Sequence, residues 1–210
     1  AGTMHKMGSL AVGKESVSGE NAAAVGDKAK AGGYKAAALG YDSAASGLSA
    51  TALGGESKAE ALRSVAVGFR AHAKGTNDVA VGGAAAASGG QSVAVGLLSK
   101  ASALRAVAVG NGAQASNIDA VAIGRDSEAD ALSATALGDR AKARGTQSLA
   151  LASAAEAEGY QAVAVGTRAV SNAVNSVALG VESSATALNG LAVGTSSSVR
   201  KEGGTAVGGG

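Results

Sequence analysis

The chain is predicted to be an all-β solenoid wound from one 14-residue unit. Three observations carry that prediction: a comb of glycines, an apolar-Ala-apolar triplet before each tooth, and a pair of small residues three and five places after it. Gly26, Gly40, Gly54, Gly68, Gly82, Gly96, Gly110, Gly124 and Gly138 stand 14 apart, and the comb resumes at Gly166, Gly180, Gly194 and Gly208. Self-similarity at a fixed short period marks a repeat architecture. Ala152 fills the missing tooth, and Gly13 precedes Gly26 by 13 residues, so the first unit is one residue short.

The triplets, such as Val65-Ala66-Val67, Val93-Ala94-Val95 and Val121-Ala122-Ile123, alternate with a period of two and are β-branched, as strands are. The small pairs, such as Ala71 and Ala73 or Ala141 and Ala143, mark a second short strand. The alanine content would tolerate helix, but the recurrent glycine does not. Fourteen residues suffice for two short strands and two tight turns, so each unit is one coil, stacked on the next at about 4.8 Å through parallel pairing. Each comb glycine is read as a turn residue with φ > 0, which makes Ala152 a slightly strained or altered turn.

In the coil ending at Gly138, Ser127 and Ala129 share one side of the second strand and Glu128 the other, so the small residues face inward. On the first strand Val121 and Ile123, the bulkiest apolar pair, are expected to fill the interior. That leaves Ala122 outward, and with it an unbroken row at Ala66, Ala80, Ala94, Ala108, Ala122, Ala136, Ala150, Ala164 and Ala178. No charge intrudes there, so the row is expected to face a partner chain that approaches closely. A core this narrow buries little apolar area per ordered residue, which association would remedy.

Composition excludes several classes. The 33 glycines, no proline, no tryptophan and four aromatic residues are unlike an ordinary globular core. Collagen needs proline, and a chain 46% hydrophobic is not disordered. No cysteine means no disulfide or thiolate metal site. A net charge of +2 spread over interspersed acids and bases gives no basic field for nucleic acid or anionic lipid. The uncharged stretch from Val79 to Ser99 keeps the repeat phase, so it is not read as a membrane span, and no direct membrane insertion is expected. Residues 1–7 fit no repeat and are expected to be leader or cloning residues. Residues 8–210 are expected to form one domain, a fragment of a longer surface protein.

Catalysis finds no support. His5 lies in the leader and His72 at an outward place of the second strand, no glycine-rich loop leads into a helix, and no acid recurs at calcium-binding spacing. No catalytic residue, metal site or cofactor is therefore assigned. Residues 14 apart stack, so opposite charges pair coil to coil: Glu128–Lys142–Glu156, Asp130–Arg144–Glu158, Glu56–Arg70, Glu60–Lys74 and Arg105–Asp119. Each exposed pair contributes well under ~1 kcal/mol. The turn residues Tyr34, Leu48, Leu62, Leu104, Ile118, Leu132, Tyr160 and Leu188 are read as caps on the end of the thin core rather than as a ligand ridge.

Asn175-Ser176-Val177-Ala178-Leu179-Gly180, with Ser183 after it, resembles the NSVAIG-x-x-S motif of the Yersinia adhesin head. Gln91-Ser92-Val93-Ala94-Val95-Gly96 with Ser99 is a related copy. The resemblance spans residues 9–208 and is to the head of trimeric autotransporter adhesins. It implies a left-handed parallel β-roll of about fourteen coils, a homotrimer, and a place on the surface of a Gram-negative bacterium, anchored in the outer membrane by a C-terminal region. It further implies non-enzymatic binding of host cells or extracellular matrix such as collagen, fibronectin and laminin. Carried over to this chain, the motif's ligand-binding role falls on residues 175–180 and 91–96. Most other units depart from the motif, with Asp78, Arg105-Ala106, Asp119-Ala120 or Ser133-Ala134 in place of Asn-Ser. The alternatives are a structural spacer and an ice-binding solenoid. Ice-binding faces want ranked threonines, which are scattered here, and a hexapeptide acyltransferase needs a six-residue period and a catalytic histidine.

Overall fold

The computed structural model describes residues 3–4 and 8–209; His5, the rest of 1–7 and Gly210 lie outside the described residues. The chain folds as a parallel β-solenoid of about fourteen turns, with no helix among the described residues. It comprises two compact units, residues 1–105 and 106–210.

In residues 1–105, two-residue strands such as Lys58–Ala59 and His72–Ala73 alternate along the chain with three-residue strands such as Thr51–Leu53, Val65–Val67 and Val79–Val81. Each kind pairs in parallel with its own kind, making two sheets. The register follows the repeat, with Val65 beside Val79 and His72 beside Ala86. The short first unit appears as Leu10 beside Ala23 and Val17 beside Lys30, a step of 13. Thr3–Met4 pairs with Val17–Ser18, so strand pairing begins ahead of the first comb glycine. Residues 106–210 repeat the plan, for example with Val121–Ile123 beside Thr135–Leu137 and Glu128–Ala129 beside Lys142–Ala143.

Each coil closes through two β-turns. In the coil around Gly68, the amide of Ala71 donates to the carbonyl of Gly68 at 3.2 Å and that of Ser64 to Ala61 at 3.1 Å. The comb glycine has φ +126 at Gly68, as the repeat predicts, and a Cβ there would stand 2.6 Å from the carbonyl oxygen of Gly82. Ala152 takes φ +109, against +141 at Gly138 and +135 at Gly166, and keeps the amide bond to Leu137 at 2.8 Å. Most turns also hold a left-handed residue with a side chain, Arg70 at φ +57 and Arg63 at φ +53 in this coil, while Gly112 takes that place elsewhere. The sequence reading places left-handed backbone only at glycine. These residues accept the strained region because their amides bond to the neighbouring coil, as Arg70 does to Gly55 at 2.9 Å.

The core corrects the expected faces of the first strand. Ala66, Ala80, Ala94, Ala108, Ala122, Ala136, Ala150, Ala164 and Ala178 are 0% exposed within the single chain. Their side chains point inward, and the flanking Val121 and Ile123 point out, the first half-buried and the second exposed. A period of two fixes which residues share a face but not which face is inside. The second strand decides it: its inward row is Ser127 and Ala129, both wholly buried as expected. Two strands joined by tight turns leave room for alanine against alanine or serine, and a valine there would overpack. The alanine row therefore has no surface to offer a partner, and the apolar surface that remains is the Val, Leu and Ile on either side of it.

Candidate functional site

Period-two alternation puts residues on either side of each buried alanine on the outer face of the three-residue strands. Val65, Val67, Val79, Val81, Val93 and Val95 in residues 1–105 are all half-buried there. In residues 106–210 the face continues with Val163, Val165, Val177 and Leu179, half-buried, and Ile123 and Leu151, exposed. The turn leading into these strands adds Leu48, Leu62 and Tyr34 in the first unit, and Ile118, Leu132, Tyr160 and Leu188 in the second. These were expected to close the core; with Leu104 they are exposed instead, because alanine and serine already fill the coil. The face is thus an apolar surface wider than the strand itself, of the kind that marks an interaction site.

The two motif segments divide along the same line. In Asn175–Gly180, Ser176 and Ala178 are wholly buried, Asn175 is exposed, and Val177, Leu179 and Gly180 are half-buried. Gln91–Gly96 matches it, with Ser92 and Ala94 buried, Gln91 exposed, and Val93, Val95 and Gly96 half-buried. The buried serines close turns. Ser176 Oγ donates to the carbonyl of Ala173 at 2.7 Å, and Ser183 Oγ, three places after the glycine, to that of Gly180 at 2.9 Å. Ser99 does the same to Gly96 at 3.0 Å. Within either segment, a ligand can reach only the Asn or Gln, the outward Val or Leu, and the glycine backbone. Asn175 Nδ2 donates to Asn189 Oδ1 at 3.2 Å and Gln161 Nε2 to Gln147 Oε1 at 2.9 Å, an amide ladder that ties coil to coil.

Among the described residues Asp78 is the one buried acid, standing where Ser64 and Ser92 stand in the adjacent coils. Its Oδ2 accepts from the amide of Gly75 at 2.6 Å, and its Oδ1 from the amide and hydroxyl of Ser92, each at 2.8 Å. Three donors replace the lost water, so the carboxylate acts as a turn cap rather than as a reactive group. Its place in the serine column was the available signal.

The outer face of the two-residue strands is mostly polar, with Val17, Ala44, Ala86 and Val170 as its apolar places. Lys142 Nζ lies 3.5 Å from Glu156 Oε1, and Arg70 Nε donates to Glu56 Oε2 at 2.8 Å, as the 14-residue spacing predicts. Two pairings depart from their columns. Arg144 reaches across to Glu128 at 2.6 Å while also meeting Glu158 at 3.3 Å and Asp130 at 3.9 Å. Glu60 pairs with His72 at 2.9 Å. Long side chains on a flat sheet reach diagonal neighbours as readily as direct ones. Hydrogen bonding from Arg125, at 2.6 Å, is the main cause holding Asp139 below the usual carboxylate range.

Among the described residues no three His, Cys, Asp or Glu side chains cluster as a metal site, and no helix is long and apolar enough to cross a membrane. The model of the YadA head domain repeat matches residues 18–43, 45–71, 73–99, 101–127, 129–151 and 157–183. No curated protein matches the chain.

Proposed function

Since the chain belongs to the YadA head family, we propose that it is the head of a trimeric surface adhesin, attaching a Gram-negative bacterium to host cells or extracellular matrix without catalysis. One observation carries the reading: the family repeat recurs through the chain on coils whose outward strand face is mostly Val, Leu or Ile, with threonine as its one polar residue type, at Thr51, Thr135 and Thr205. Three copies packed through the Val, Leu and Ile rows would remove that face from water. A core of alanine and serine gives each coil little apolar burial of its own, so association supplies what the coil lacks. A trimer would then present many equivalent coils at once, and weak contacts on each would combine by avidity. Collagen, fibronectin and laminin are the matrix ligands proposed, with Asn175 and Gln91 as the motif side chains that stay reachable once the Val and Leu rows are packed.

Light scattering on the purified chain should give three times the chain mass, and the trimer should bind immobilised matrix proteins saturably. A monomer of full secondary structure would overturn the assembly. A confirmed trimer that binds neither matrix protein nor host cells would overturn the adhesive reading.

A further inference from the structure

A cleft of about 250 Å³ opens on residues 1–105, lined by Asp42, Glu56, Lys58, Arg70, Ala71 and His72. It sits where the two-residue strands meet the turn after the comb glycine, so it belongs to the polar side of the coil and leaves the apolar strand face untouched. The same turn carries Tyr41 and Phe69, each 55% exposed, two coils apart. Gly55 stands between them, and a Cβ there would come 3.5 Å from Phe69 Cδ2, so the ring lies over a place without a side chain. The guanidinium of Arg70 stacks on that ring at 4.7 Å while its Nε and Nη2 bind Glu56 at 2.8 and 3.5 Å. A stacked, chelated arginine is held in place, with its Nη1 edge outside that pair. Asp42 and Lys58 add an exposed carboxylate and an exposed ammonium to the same wall.

Donors and acceptors thus alternate in a small open cleft, and the aromatic Tyr41 and Phe69 are the chain neighbours of its Asp42 and Arg70. A strongly charged ligand of either sign meets its own sign there. An extended peptide gains affinity by adding to an open sheet edge, and the strands beside the cleft are already paired on both sides. A ligand whose hydroxyls both donate and accept, and whose C–H face is apolar, fits both halves. We propose that this cleft binds a neutral pyranose unit of a glycan, its hydroxyls held by Asp42, Lys58 and Arg70 and its apolar face against the exposed ring of Phe69 or Tyr41 beside them. The proposal rests on the adhesive reading and names a ligand class for it.

Residues 106–210 supply the control. A larger cleft of about 580 Å³ is lined there by Glu128, Arg140, Lys142, Glu156 and Arg168 among others. Its turn carries Arg125, Asp139, Ser153 and Thr167 in place of aromatic residues. It has the charges without the rings.

The intact chain should be applied to an array of neutral and acidic oligosaccharides, and a retained neutral oligosaccharide titrated by saturation-transfer NMR. Phe69→Ala and Asp42→Asn, both at exposed positions, should each weaken binding at least tenfold with an unchanged circular dichroism spectrum. Glu156→Gln, in the second cleft, should leave it unchanged. Retention of no neutral oligosaccharide, or an affinity indifferent to both variants, overturns the proposal. So does retention confined to acidic glycans and lost on Lys58→Gln. Binding to immobilised matrix proteins, measured alongside, separates the two readings. If it persists while no oligosaccharide is retained, the cleft proposal fails and the adhesive one stands. If oligosaccharides are retained as predicted while neither matrix protein nor host cells are bound, the cleft stands and the adhesive reading fails.

Discussion

In residues 1–105 the turn after the comb glycine carries Tyr41, Phe69 and Leu97, while in residues 106–210 the same place carries Arg125 and Asp139, joined by an ion pair. Inside the coil the two units are alike, with alanine on one sheet and alanine or serine on the other save for Val199, nearly all at zero exposure. The difference teaches where each kind of constraint acts. Inward positions are held by volume and by hydrogen bonding, since a larger or charged side chain enters only where it is accommodated, as Asp78 is by three donors. Outward positions are free to drift, so function must be sought among them.

The largest expected effect comes from forcing an outside residue inside. Ala122→Glu places an unpaired carboxylate among wholly buried alanines and should destabilise the chain by about 3 kcal/mol or more. Urea denaturation followed by circular dichroism measures it. The neighbouring Val121→Glu puts the same charge on the outward row and should cost the isolated chain under ~1 kcal/mol, while light scattering reports a fall in assembled mass. If Ala122→Glu left the denaturation midpoint in place, the assignment of inside and outside would fall.

Asp78 tests the same boundary from the other direction, because a polar residue is already inside. Asp78→Ala removes the acceptor for the amides of Gly75 and Ser92 and for the Ser92 hydroxyl, which should cost about 2 kcal/mol. Asp78→Ser restores the residue that the adjacent coils use, and the midpoint should stay near that of the unsubstituted chain. Equal losses in the two variants would show that the carboxylate itself, rather than a turn cap, is what the coil requires.

The period, the comb, the strands and the serine turn motif were all legible in the sequence because each repeats, and repetition separates signal from chance. The face of the first strand was not. Val121-Ala122-Ile123 alternates equally well in either phase, and the habit of burying the larger residue misleads when the interior is one alanine deep. The left-handed turn residues were hidden for a related reason: Arg70, Asn77 and Leu98 have φ of +57, +58 and +59, yet share no residue type. The cleft on residues 1–105 was also invisible as a motif, because Asp42, Glu56 and Arg70 come from three successive coils and only stacking brings them together.

Ala152 sharpens the comb. An L-residue at φ +109 carries strain that glycine avoids, so Ala152→Gly should raise stability by about 1 kcal/mol. The reverse change, Gly68→Ala, adds to that strain a Cβ 2.6 Å from the Gly82 carbonyl oxygen and should lower the thermal midpoint by more than Ala152→Gly raises it. Equal and opposite shifts would mean that backbone conformation alone, with no contribution from the close approach of successive coils, selects glycine at the comb.

The smallest effect belongs to the outward charges. Hydrogen bonding from Arg125 leads the causes that lower the pKa of Asp139, and Arg140 adds to it at 3.2 Å. A carboxylate whose folded value lies below its unfolded value contributes stability that is fully present above the unfolded value and is lost as the pH falls through the folded one. The pair is exposed, so solvent keeps that contribution slight. Titration of the Asp139 carboxyl by NMR should therefore find a midpoint below the usual 3.8, and Arg125→Ala should move it back up while leaving the midpoint of urea denaturation nearly unchanged. A large loss of stability in Arg125→Ala would make this ion pair part of what holds the coils together, and the outside of the second unit would then be as constrained as its inside.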